Sequence, residues 1–167
     1  MPVNERRGEL AGERAMWYIF RKQRSRLLEN DAPSRECMKK LTLHLLSEAF
    51  TINKLPQFAE IPTILSQGEM CFIIRTDEEL CVICPDFMAP NNVQQELGWR
   101  CLKVEGALKM QDIGVLASLS QPLAEANIPM LAVSTFVTDY IFVMEEHLVN
   151  AVQALQKAGH EFSHDEK

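Results

Sequence analysis

No glycine-rich loop of the kind that cradles phosphate occurs in this chain of 167 residues. His44, His147, His160 and His164 are scattered, and none stands with a serine, cysteine or carboxylate partner in a recognisable catalytic or metal-binding spacing. The cysteines are five, an odd number, at 37, 71, 81, 84 and 101. No signal peptide or membrane-length apolar run precedes them, so reduced thiols in a cytoplasmic protein are expected. Cys81-Val82-Ile83-Cys84 has CxxC spacing, but no second pair and no nearby histidine completes a zinc site. It lies in an apolar run that ends at Pro85, where cysteine behaves as a small buried hydrophobe. These absences argue against an enzyme, a metal and a cofactor.

Cations are also scarce over most of the chain. Residues 41–167 carry seven Lys and Arg against seventeen Asp and Glu, a net charge of -10; residues 1–40 carry ten against six, a net of +4. The acidic body argues against nucleic acid, because phosphate contacts need clustered positive charge. The basic stretch contains Met16-Trp17-Tyr18-Ile19-Phe20 followed by Arg21-Lys22-Gln23-Arg24-Ser25-Arg26. It reads as a solvated extension with a basic amphipathic helix over about 9–29, ended by Asn30 to Ser34.

What the chain does have is an ordinary apolar content of 47 % and enough length to bury a core without disulfides. Leu41, Leu43 and Leu45 alternate with Thr42 and His44, a strand pattern. Phe50 to Leu55 alternates too, with a bend or hairpin expected near Ser47-Glu48. Met70 to Arg75 and Leu80 to Cys84 are β-rich runs around the polar turn Thr76 to Glu79, and predict a hairpin. Pro85 to Gly98 reads as a connector, and a domain boundary is placed there.

Trp99 to Gly106 alternates as a strand. A helix follows, with Asp112 as the expected N-cap and Ile113, Leu116, Leu119, Leu123 and Ala124 on one face. Pro122 inside it predicts a kink or loosened bonding. Met130 to Val133 and Tyr140 to Met144 are strands, the second apolar enough to be buried on both faces. Glu145-Glu146 opens a second helix, with Leu148, Val152 and Leu155 facing the core and Gly159 as terminator. Residues 99–159 thus read strand, helix, strand, strand, helix. One more strand, from the tail or elsewhere, would complete a βαββαβ ferredoxin-like unit.

Trp99-Arg100-Cys101-Leu102-Lys103-Val104-Glu105-Gly106, Asp112-Ile113-Gly114-Val115-Leu116, Pro122 to Ala126, Ser134-Thr135-Phe136 and Thr138-Asp139-Tyr140 together resemble a small ACT-domain family. Its relatives include bacterial tandem-ACT proteins and the animal cytosolic arginine sensors, and its modules are akin to those of aspartate kinases. The resemblance covers about residues 41–160. It implies an α+β fold of tandem ferredoxin-like ACT modules: an N-terminal helical or disordered extension over 1–40, a first, degenerate module over 41–98 and a second over 99–162. It further implies a non-catalytic regulatory or sensor protein that binds a small metabolite, an amino acid above all, where ACT modules meet, with a possible homodimer. The alternative is a protein-interaction module with a vestigial ligand site. By position, the resemblance puts the ligand against Asp112, Ile113, Gly114 and Val115 at the helix start, and Thr135, Phe136 and Asp139 at the end of the following strand. Free N–H groups at a helix start suit a carboxylate. Gly114 leaves room for a ligand to approach the backbone. Asp139 suits an ammonium or guanidinium group. Asp112 carries the wrong sign for a simple carboxylate site, and is given the ligand's amino group instead.

Overall fold

Strand β1, Thr42–Pro56, is the spine of the molecule. The computed structural model describes residues 39–68, 70–109 and 111–163, all of which fall in one compact unit. The basic helix expected over 9–29 lies outside the described residues. After β1 come the short helix α1 (Thr63–Gln67), the hairpin β2 (Phe72–Arg75) and β3 (Glu79–Pro85), and β4 (Gln94–Val104). Then follow α2 (Val115–Glu125), β5 (Met130–Ser134), β6 (Asp139–Met144), α3 (Leu148–Lys157) and β7 (Glu161–Ser163).

These strands form one seven-stranded sheet in the order β2-β3-β1-β4-β6-β5, with β7 also paired to β1. β1 runs antiparallel to β4 along most of its length. On its other edge, Phe50 to Pro56 pairs with β3 and Thr42 to His44 runs parallel to β7. The expected final strand is therefore present, but β1 stands between it and β4. The boundary placed at residue 98 falls inside β4, which runs unbroken through Trp99.

Of the bend or hairpin expected near Ser47-Glu48, the hairpin does not form, and β1 continues through an irregularity in its ladder. Leu45 pairs with Leu102 and Ala49 with Arg100, so two surplus residues of β1 bulge out of the ladder. The Arg100 guanidinium donates to the Leu46 carbonyl at 3.2 Å and reaches Glu145 at 3.0 Å. The bulge thus has a donor for a carbonyl the ladder leaves free. Because the surplus is two residues, the alternation of faces survives it.

One face of the sheet is covered by helices. Leu43, Leu102, Val104, Ile141 and Val143 pack there against Val115, Leu119 and Leu123 of α2 and Ala151 and Leu155 of α3. Further along the same face, Leu55, Leu80, Val82 and Cys84 pack under Leu65 of α1 and Met88. The other face carries Phe50, Ile83, Cys101 and Phe142. The sheet curls around this second face, and Phe72 of edge strand β2 comes edge-on to Tyr140 and Phe142 of β6, with centroids 5.0 and 5.8 Å apart. Strand alternation sends Cys84 to the first face and Cys81 to the second, so the CxxC spacing does not bring its two thiols together.

Helix α2 begins at Val115, with Gly114 before it in the left-handed region at φ 83°. Its buried face is Val115, Ser118, Leu119, Pro122 and Leu123. Ile113, expected on that face, precedes the helix and is 90 % exposed. Pro122 has no N–H for the Ser118 carbonyl, one turn back. His160 takes its place: the buried ring's Nε2 lies 3.0 Å from Ser118 O, while its Nδ1 accepts the Leu41 N–H at 3.3 Å. The backbone N–H as donor to Nδ1 leaves the ring proton on Nε2, as Ser118 O requires.

Candidate functional site

Leu108, Lys109, Asp112 and Gly114 before α2, the start of α2 and the β5–β6 turn line a groove of about 660 Å³. Asp112, Gly114, Val115, Thr135, Phe136 and Asp139, six of the seven residues predicted from sequence, line it. Ile113 does not, and projects into solvent. Leu108, Lys109, Leu116, Ala117, Ser134 and Thr138 complete the lining.

Gly114 positions one wall. Its left-handed φ turns the chain sharply into α2, and no side chain caps the helix. The first intrahelical bond runs from Ser118 N–H to Gly114 O. The preceding N–H groups therefore lack intrahelical partners and open toward the groove with the positive end of the helix dipole.

Asp112 is not the N-cap. Its carboxylate accepts the Lys109 backbone N–H at 3.1 Å and the Lys39 ammonium at 2.7 Å. Its own N–H donates to Lys109 O at 2.8 Å, closing a tight turn two residues before the helix. The Lys39 hydrogen bond, with the Lys109 amide second, holds the Asp112 carboxyl below the usual carboxylate range. The stability linked to this depression is present above the ordinary carboxylate pKa and is lost as pH falls through the lowered one. In Lys39→Met, NMR titration of Asp112 should show its pKa moving up toward the ordinary value; an unmoved titration would mean that Lys39 does not hold the carboxylate in solution.

The opposite wall is the β5–β6 turn. Thr135 N–H and Oγ both donate to Thr138 O, at 2.9 and 2.7 Å, and the Thr135 hydroxyl oxygen accepts Thr138 N–H. The buried Thr138 hydroxyl donates to Val104 O at 2.6 Å, tying the turn to the end of β4. Leu108 N–H donates to Val137 O, which fastens the loop below. This lattice holds Asp139 opposite Ser134 at the first pair of the hairpin ladder. Asp139 is only 8 % exposed, and among the described residues its carboxylate has no hydrogen-bond or ion-pair partner. Its oxygens are not sealed from water and are open to a cationic group that enters the groove. At the rim, Ile113, Phe136 and Val137 are exposed apolar side chains.

The parts missed from sequence are Lys39 and His160. Lys39 lies 73 residues from its carboxylate partner, and His160 looked like tail. A proline whose helical carbonyl must be satisfied from elsewhere was the one available signal for His160.

A smaller cavity of about 350 Å³ lies against His44, Lys103, Glu105 and Gly106. There the Ser163 hydroxyl donates to Glu105 at 2.7 Å, leaving its oxygen 3.2 Å from His44 Nδ1, and β7 is stapled to β1 and β4. Among the described residues no group of three or more His, Cys, Asp or Glu is placed to hold a metal ion.

Residues 94–157 match the ACT domain. Protein Atu0741 from Agrobacterium tumefaciens is 30 % identical, with a TM-score of 0.70 over 75 % of this chain and 93 % of that one. A Vibrio cholerae protein of unknown function is similar at 18 % identity, with a TM-score of 0.57 over 71 % and 90 % of the two chains. The regulatory subunit of aspartate kinase from Thermus flavus shares the fold at 12 % identity and a TM-score of 0.51, over 72 % and 99 %. The helix start and strand end of the groove lie inside the segment that matches the ACT domain, and the chain belongs to one family with the Agrobacterium protein.

Proposed function

We propose that this protein is a non-catalytic regulatory or sensor module that binds an amino acid in the groove between α2 and the β5–β6 turn. The observation that carries the reading is Asp139. Among the described residues its carboxylate has no partner, and it lines the same groove as the uncapped start of α2. One wall offers backbone N–H groups to a carboxylate and the other offers a carboxylate to an ammonium. A zwitterion satisfies both. Asp112 is already neutralised by Lys39, so its charge no longer opposes a ligand carboxylate. Asp112 is thus a wall of the site rather than the holder of the amino group.

The apolar rim of Ile113, Phe136 and Val137 supports a site completed by a second ACT surface, in this chain or in a partner copy. Tandem modules over 41–98 and 99–162, a homodimer and a cytoplasmic setting belong to the same reading. The regulatory role is supported by the shared fold with an aspartate kinase regulatory subunit.

A thermal-shift screen against the common amino acids tests it. One or a few should raise Tm by several degrees, and Asp139→Ala should remove that shift while leaving the ligand-free Tm nearly in place. A flat response to every amino acid would sink the reading in favour of a protein-interaction module with a vestigial site, which the exposed rim also fits.

A further inference from the structure

Cys71 and Cys84 form a second centre, at the β2–β3 end of the sheet, away from the β5–β6 end that carries the groove. In the β2–β3 hairpin Phe72 pairs with Ile83, Ile73 with Val82, Ile74 with Cys81 and Arg75 with Leu80. Continued by one step, the register sets Cys71 opposite Cys84. The kind of pair follows from the turn. Thr76 N–H donates to Glu79 O, so Thr76 and Glu79 are a hydrogen-bonded pair. Pair types alternate along an antiparallel ladder, which makes Cys71 and Cys84 a non-hydrogen-bonded pair. Such pairs bring Cα atoms to about 4.5 Å, within the range a disulfide spans, and bring the side chains closest together. Both thiols are on one face: Cys71 packs against the cluster that contains Cys84.

We propose that Cys71 and Cys84 are a redox pair that closes a cross-strand disulfide when the protein meets a small-molecule disulfide of the glutathione type. Cys71 is half-buried and Cys84 buried, so Cys71 is the thiol the oxidant reaches first. Its thiolate attacks the oxidant RSSR, forming Cys71–S–S–R and releasing RS⁻. The Cys84 thiolate then attacks the Cys71 sulfur, forming Cys71–S–S–Cys84 and releasing a second RS⁻. Each thiol gives up its proton before it reacts, and RSSR ends as two RSH.

The surroundings of Cys84 fit the second step. Asn53 Nδ2 donates to its sulfur at 3.6 Å, and the Thr51 hydroxyl lies at 3.8 Å. Burial pushes the Cys84 thiol up, and the hydrogen bonds from the buried Thr51 and Asn53 offset part of that rise by favouring negative charge on the sulfur. Burial first, and the nearby Cys84 second, push the Cys71 thiol up to about 11. Thiolate is therefore scarce at neutral pH, and closure should speed up as pH rises through the alkaline range.

The full chain, folded, is incubated with oxidised glutathione at neutral and mildly alkaline pH, alkylated, and analysed by intact and peptide mass. The expected product is two hydrogens lighter, with a peptide bridging Cys71 and Cys84. It forms faster at the higher pH, and its Tm rises by a few degrees because the link constrains the unfolded chain. Cys84→Ser should stop at a glutathione adduct on Cys71. The proposal is overturned if wild-type protein accumulates that same adduct without closure, if both thiols stay free at either pH, or if Cys71 bridges to another cysteine. A ligand at the groove is not needed for any of these readouts, so their outcome is separate from that of the amino-acid screen.

Discussion

Replacing Phe142 by alanine should lower the unfolding free energy by about 3–5 kcal/mol, the range for deleting a fully buried aromatic ring. Phe142 has no exposed surface and lies in the middle of β6. Its ring meets Phe50 edge-on at 5.4 Å and Phe72 at 5.8 Å, two contacts drawn from β1 and β2. Loss of the ring leaves a cavity at the centre of the curl, where three strands converge and none can collapse without the others. Tm should fall by more than about 10 °C. A loss under about 1 kcal/mol in urea unfolding would mean that the curl is not closed over this face. Phe142→Leu, which restores much of the volume, should recover a good part of the loss.

The second large effect is expected at His160. His160→Ala removes the donor to Ser118 O and the acceptor for Leu41 N–H, and leaves both backbone groups without those partners in a buried place. Each such group costs about 1–3 kcal/mol, so a total near 3 kcal/mol is expected. The sharper test is a cycle with Pro122→Ala. Alanine at 122 brings a backbone N–H that Ser118 O accepts within the helix. In that background His160→Ala should cost about 1 kcal/mol less than in the parent, a coupling that urea unfolding of the four proteins measures. Strict additivity would show that the histidine and the proline are not compensating partners.

This pairing also shows which parts of the fold the sequence disclosed. Local patterns were enough for the β2–β3 hairpin, for β5 and β6 and for the glycine that ends α3, because neighbouring residues decide those elements. They were enough, with the family resemblance, to name six residues that meet in one groove. What failed had its cause far along the chain. Ser47-Glu48 allowed a bend or a hairpin, and the strand bulges there without turning back, because β4 holds β1 on both sides of it and Arg100 takes up a free carbonyl. Asp112 looks like an N-cap and is not, because Gly114 moves the helix start two residues on while the Lys109 N–H and the Lys39 ammonium both bond its Oδ2. The helix face shifted with that start, leaving Ile113 outside and placing Ser118 and Pro122 within. His160 was invisible as a structural residue, since its two partners lie 119 and 42 residues away.

The place of β1 between β4 and β7 bears on how the protein is made. Leu41 cannot meet His160, nor Thr42 its neighbour Glu161, until about 120 further residues have left the ribosome. Until then the amino-terminal half of β1 has an open edge. Closure of that edge is therefore a late event of high contact order. In the interval the nascent chain offers a strand to any other chain with a free edge of its own.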